Sequence, residues 1–158
     1  MGIEIPPSGT RGSGTPGFLN HLFVPFMKLQ IAQYRRSKRE GQPRMMGFPA
    51  VLLTTVGARS GMQRTVPLGG FPDGQDAWLV VASAGGGRRH PAWFLNMAKN
   101  PEQVWVEVGQ RRVRVRAMSL LGADREAALA RIAEIAPRYA GYQRKTDREI
   151  PVVRLTPA

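Results

Sequence analysis

Residues 50–71, AVLLTTV-GARSG-MQRTVPLGGF, decide the architecture. Ala50–Val56 is an apolar, β-branched run closed by glycine and too short for a core helix, so it reads as a buried strand. Gly57–Gly61 is its turn and Met62–Phe71 the returning strand. Phe71-Pro72-Asp73-Gly74 is a strong turn signal, and Ala77–Ser83 (AWLVVAS) reads as a third strand. Further on, Val104, Val106 and Val108 alternate with Trp105 and Glu107, while Val113 and Val115 alternate with arginines. Gln103–Val108 and Arg111–Met118 therefore read as a hairpin, with Gly109-Gln110 suited to a type II′ turn. Ile150–Leu155 is the last strand. Consecutive antiparallel strands with few helices predict an α+β fold, a small β-barrel dressed with helices.

The helices are read from period and punctuation. Leu19, Leu22, Phe23, Phe26 and Met27, continued by Ile31 and Tyr34, fall at spacings of three and four and form one apolar helix face. Pro25 inside that run is expected to kink it or to start a second segment. Pro91–Lys99 is a short helix with Pro at its first position, ended by Asn100-Pro101. Asp124–Ala136 turns Leu129, Ile132 and Ala136 inward and stops at Pro137, after which a tyrosine-containing loop is expected. Residues 1–17 (MGIEIPPSGTRGSGTPG) have almost nothing to bury and read as a disordered tail, leaving 18–158 as a single domain.

Composition narrows the chemistry. In 158 residues, 23 Lys+Arg stand against 11 Asp+Glu, a net charge of +12, with two histidines and no cysteine. Thiolate nucleophiles, zinc ribbons and iron–sulfur clusters are thereby excluded, and His21 and His90 alone cannot build a multi-histidine metal site. No run approaches 18 apolar residues, and the first residues lack the charged head and apolar stretch of a secretion signal, so a cytoplasmic protein is expected. The positive balance attracts polyanions: nucleic acid, anionic lipid, or a phosphorylated or carboxylated ligand. There is no GxxxxGK[ST] loop, no GxGxxG after a strand and no GxSxG elbow, so a reactive group supplied by a bound cofactor is the natural expectation for an enzyme.

Three clusters carry weight. In Gly57-Ala58-Arg59-Ser60-Gly61-Met62-Gln63-Arg64 the turn amides can approach an anion and Arg59 and Arg64 can fork onto phosphate or carboxylate oxygens, although the same residues also suit an ordinary hairpin turn with solvated arginines. In Val81-Ala82-Ser83-Ala84-Gly85-Gly86-Gly87-Arg88-Arg89-His90-Pro91-Ala92-Trp93 a strand runs through glycines into a helix start, where a flat ring can lie against bare backbone, or where a flexible loop simply leads Trp93 and Phe94 into the core. Tyr139 and Tyr142, three apart beyond a helix, either cover a pocket with phenolic donors or pack as half-buried aromatics.

Taken in order, these motifs resemble the deazaflavin-dependent nitroreductase family of actinobacteria, whose members are split β-barrels related to flavin- and pyridoxamine-phosphate-oxidase-like barrels. The matching pieces are Leu52–Thr55, Gly57–Gly61 with Arg64, Pro67-Leu68, Ala82–Gly86, Pro91–Asn96 with Asn100-Pro101, and Tyr139–Val153. The resemblance implies a split β-barrel that binds coenzyme F420, a flat deazaflavin with a phosphorylated, glutamate-ended tail, and passes a hydride to a quinone-like or nitroaromatic acceptor. It implies that Arg59 and Arg64, on the turn with Ser60 and Gly61, hold the tail. Pro67, Val81, Ser83, the backbone of Ala84, Gly85 and Gly86, and Ala92-Trp93 would frame the ring. Tyr139 and Tyr142 would close over it, with Ser83 and Tyr139 as donors to developing negative charge. FMN on the same barrel, or F420 binding without turnover, are the alternatives.

Three departures from members that reduce bicyclic nitro compounds are Gly69 for an aromatic residue, Ala84 for Lys and Ala136 for Tyr. They imply a wider pocket with fewer polar anchors, and hence a preference for quinones. The basic end of the first helix (Arg35, Arg36, Lys38, Arg39) suggests either contact of residues 18–39 with an anionic membrane surface or a solvated end on a barrel-packing helix. Arg111, Arg112, Arg114 and Arg116 alternate with valines as on any solvent-facing strand, and no nucleic acid partner is expected.

Overall fold

A computed structural model of the protein describes residues 2–13, 20–37 and 41–158, the side chains of 20–24 excepted. Leu19, Lys38 and Arg39 lie outside the described residues, as do the side chains of Leu22 and Phe23. The chain runs α1 (Asn20–Arg36), β1 (Arg44–Met45), β2 (Phe48–Val56), β3 (Gln63–Gly69), β4 (Phe71–Pro72), β5 (Trp78–Val81), α2 (Ala92–Lys99), β6 (Trp105–Val108), β7 (Arg111–Leu120), α3 (Gly122–Ile135), α4 (Arg138–Lys145) and β8 (Val152–Pro157). The strands form one antiparallel sheet in the order β1-β2-β6-β7-β8-β5-β4, with β3 paired to the other edge of β2. Because β3 and β4 each pair on one side only among the described residues, the curled sheet is a split barrel, as expected.

β2 reads as a nearly continuous apolar run because both its faces are covered. Val51 and Leu53 point into the barrel core with Val80, Phe94, Met97, Val106 and Val153. Ala50 and Leu52 face outward and pack beneath Tyr34 of α1, whose hydroxyl donates to the Ala50 carbonyl at 2.9 Å. α1 is a single assigned helix with Pro25 in its second turn. The β6–β7 hairpin turns at Gly109 with φ +61, as its II′ geometry requires.

Two expectations are corrected. The segment after Pro137 is not a loop but α4. Gly141 lowers its intrinsic propensity and lies where an added Cβ would meet nothing, while the opposite side carries Tyr139 and Tyr142 into a second apolar cluster with Phe48, Phe71 and Ile132. Packing of that face outweighs the glycine. Residues 2–13 are not an unanchored tail. Ile3 packs on the barrel core, Gly9 N–H donates to Arg88 O at 2.9 Å, and Ser13 N–H donates to Gly86 O at 3.0 Å. Thr10 and Arg11 N–H groups both donate to the Asp147 carboxylate, so polar backbone bonds replace the apolar burial that the sequence lacks. Residues 14–17 of the expected tail lie outside the described residues.

Candidate active site

The arginine-bearing turn is built from both sides. Gly57 N–H donates to Met62 O at 2.8 Å and Gly61 N–H to Gly57 O at 2.9 Å, with Gly61 at φ +69. Ser60 Oγ accepts from Met62 N–H at 3.2 Å, so this hydroxyl is engaged in the turn itself. Buried Asn96 of α2 accepts from Ala58 N–H at 3.0 Å, and Asn100, which caps the C-terminus of α2, donates to Val56 O at 3.1 Å. The two asparagines fix the turn on α2, a role that their spacing in sequence did not reveal. Arg59, Ser60, Arg64, Ala92 and Trp93 then share a cleft of about 770 Å³ with Met27, Lys28 and Ile31 of α1. Among the described residues neither Arg59 nor Arg64 has an acid partner, which leaves two guanidinium forks available to an anion.

The glycine loop leaves β5 at Val81. Ser83 has right-handed helical dihedrals, and Ala84, Gly85 and Gly86 follow at φ +46, +63 and +83. Ala84 is one of two described non-glycine residues with positive φ, a conformation that costs energy and recurs at ligand sites. A right-handed residue followed by a left-handed one turns successive N–H groups toward a common concavity, the geometry of an anion-binding nest. The amides of Ser83, Ala84 and Gly85 take no backbone carbonyl among the described residues. The Ser83 hydroxyl likewise makes no side-chain bond there, although the residue is buried.

Behind the loop stands Arg148, 2% exposed, a residue to which the sequence reading gave no role. It donates to Gly87 O (2.8 Å), Ala82 O (3.0 Å) and Ser83 O (2.8 Å), and to His90 Nδ1 at 3.2 Å. Burial lowers its pKa from the usual arginine value. Since Nδ1 of His90 accepts, Nε2 carries the proton and donates to Pro6 O at 2.6 Å, so His90 is a neutral linker rather than a base. Burial, chiefly, and the Arg148 charge lower its pKa against the Pro6 bond.

Tyr139 and Tyr142 meet edge to face with centroids 5.2 Å apart, and Tyr139 stacks at right angles on Phe71 at 5.4 Å. With Val81 they line a second cavity of about 550 Å³ between α3 and α4, which Arg125, Gln143 and Arg148 complete. Burial raises the Tyr139 pKa to about 12, so its hydroxyl is a protonated donor at neutral pH. Gly69 does not widen this pocket. A Cβ there would meet the Tyr139 hydroxyl at 2.6 Å and Phe71 at 3.1 Å, so the tyrosine fills the space an aromatic residue on β3 would take. Ala136 is likewise buried in the second apolar cluster.

The expected site residues thus fall into three neighbouring groups rather than one cavity. Arg59, Ser60, Arg64, Ala92 and Trp93 line the first cleft, Val81, Tyr139 and Tyr142 the second. Ser83–Gly86 lies beside α4, where Gly86 packs against Tyr142 O and Lys145. Pro67 shares a face of β3 with Thr65, on the first cleft, and Gly69, under Tyr139. Gly61 lines neither cavity.

The model of a family described as F420H(2)-dependent quinone reductase matches residues 26–157. The chain belongs to this F420H(2)-dependent quinone reductase family. It is 39% identical over 142 residues to the F420H(2)-dependent quinone reductase Rv1261c of Mycobacterium tuberculosis (strain ATCC 25618 / H37Rv), covering 86% of this chain and 93% of that protein. Among solved structures, an F420-H2 dependent reductase (FDR-A) is 39% identical, with a TM-score of 0.61 over 72% of this chain and 98% of its own. Another, described as a domain-swapped dimer, is 34% identical with a TM-score of 0.63 over 86% and 98%. Family membership makes F420 rather than FMN the redox cofactor. The donor set fits such a ligand: two arginines with no acid partner among the described residues suit an acidic tail, and the amides of Ser83–Gly85, which no described carbonyl takes up, suit an electron-rich ring edge.

Proposed function

We propose that this reductase uses reduced F420 to reduce a quinone in the cytoplasm, with the cofactor tail on Arg59 and Arg64 and the ring along Ser83–Gly86. When bound, the cofactor supplies a hydride from carbon 5 of its deazaflavin. The pair of arginines that no described acid pairs, in a cleft continuous with the α2 start, is the observation that carries this reading. Ser83 and Tyr139 then serve as hydrogen-bond donors to charge developing on the acceptor or ring, the tyrosine because it keeps its proton at neutral pH. Tyr142 covers the aromatic face of the second cavity, which takes the acceptor. Gly61 and Ser60 hold the turn, and Pro67, Val81, Ala92 and Trp93 give the ring its apolar walls.

Filling of the space over Gly69 by Tyr139 favours a flat quinone over a bulkier nitro bicycle. With reduced F420 as donor, a menaquinone analogue is expected to turn over faster than a bicyclic nitroimidazole, and the reverse order overturns the acceptor assignment. A membrane-side location is favoured by exposed Phe26 (57%) and Leu29 (52%), which flank Lys28 on α1. No helix among the described residues is long and apolar enough to cross a membrane. Flotation with anionic vesicles is expected for the full chain and is expected to fall when Phe26 and Leu29 are changed to Ser. Equal flotation of both removes the membrane reading.

A further inference from the structure

Arg148 is a buried cation that no carboxylate among the described residues pairs. Among the described residues it makes no ion pair, and the acids adjacent in sequence are taken up elsewhere: Asp147 by Thr10 and Arg11, Glu149 by Arg125 at 3.7 Å. Its partners are three carbonyls and a neutral imidazole. A charge removed from water and hydrogen-bonded only to neutral groups keeps more of its field than one in an ion pair.

That field has a defined outlet. One nitrogen, Nη2, holds the carbonyls of both Ala82 and Ser83. In a trans peptide the C=O and the following N–H point in opposite directions, and the chain has no cis bond among its described residues. Carbonyls turned toward Arg148 therefore turn the N–H groups of Ser83 and Ala84 away from it, and these are amides that no described backbone carbonyl takes up. A donor bonded to a carbonyl polarises that peptide and strengthens the bond its N–H can give.

We propose that Arg148 is a positioning residue that projects its charge through the 82–83 and 83–84 peptide units, making the Ser83 and Ala84 amides a hole for an electron-rich oxygen on the deazaflavin ring. The inference rests on the cofactor-site reading above and deepens it. It explains why the loop accepts a left-handed alanine: the turn at Ala84 aims the amides while leaving both carbonyls on the guanidinium. The N-terminal strap, joined through Pro6 and His90, backs the same guanidinium from behind.

The test is a pH titration of the absorbance of oxidised F420 bound to wild type, Arg148→Lys and Arg148→Met. A cation felt at the ring favours the ionised ring, so its pKa in the wild type is expected to lie below that of the free cofactor. It is expected to rise by about one pH unit in Arg148→Met. Arg148→Lys keeps the charge but loses the fork, so it is expected to bind more weakly while retaining a lowered ring pKa. Folded Arg148→Met whose bound ring titrates like that of the wild type overturns the relay alone. Failure of the wild type to bind F420 overturns the site reading and the relay together. If Arg148→Met does not fold, the wild-type amide proton resonances of Ser83 and Ala84 decide: both are expected to move downfield on saturation with oxidised F420, and unmoved resonances overturn the proposal.

Discussion

Gly69 and Tyr139 show how one side chain's absence is another's position. The Tyr139 hydroxyl lies where a Cβ on residue 69 would be, and its ring is held between Phe48, Phe71 and Tyr142. Gly69→Ala is expected to cost about 1–3 kcal/mol in a urea titration, the usual penalty of overpacking a close-packed site. Adding Tyr139→Phe, which removes the clashing oxygen, is expected to recover part of that loss, so the double-mutant cycle is non-additive; strict additivity contradicts the contact. The sequence disclosed that Gly69 departs from a family pattern but assigned it the opposite consequence. Counting side-chain volume at one position says nothing about which distant residue fills the space, and Tyr139 is 70 residues away along the chain.

The elements that the sequence disclosed are those with short-range causes. β2, its turn, the β6–β7 hairpin and α2 follow from apolar runs, glycine and proline placement. α4 and the strap at 2–13 have long-range causes: tyrosines packing on a distant cluster, and backbone bonds to Asp147 and the glycine loop. The arginine turn was recognisable, but its attachment to Asn96 and Asn100 was not. The strap's link to the loop through His90 has a pH signature. The native state disfavours protonated His90, while the unfolded chain takes a proton near pH 6.5. This contribution to stability is complete above that pH and is lost as pH falls through it toward the lower native pKa. The thermal midpoint is expected to drop between about pH 7.5 and pH 5.5, and His90→Gln to flatten that drop, because the glutamine has no proton to gain over that range. Equal slopes in both proteins contradict the link. Asp147, held down to about pKa 2 by Thr10 and Arg11, titrates well below that window.

For the molecule as a whole, the charge of +12 acquires a location and a purpose. Part of it is spent structurally, as Arg131 and Arg154 pair with Asp73 and Arg35 with Glu107. Among the described residues Arg59 and Arg64 remain without acid partners in the larger cleft, and Arg148 remains so behind the glycine loop. Split-barrel architecture brings these groups to neighbouring sites from β2–β3, the β5–α2 loop and the α4–β8 connection, a convergence that follows from sheet order rather than from any local motif. The most direct test is calorimetric titration of F420 into wild type and the Arg59→Ala/Arg64→Ala double variant. Wild type is expected to bind with an affinity that falls as salt rises. The double variant is expected to bind at least about tenfold more weakly, the effect of losing charged hydrogen bonds, with its unfolding midpoint nearly unchanged. Equal affinities for the two proteins, or no binding by the wild type, would contradict the account.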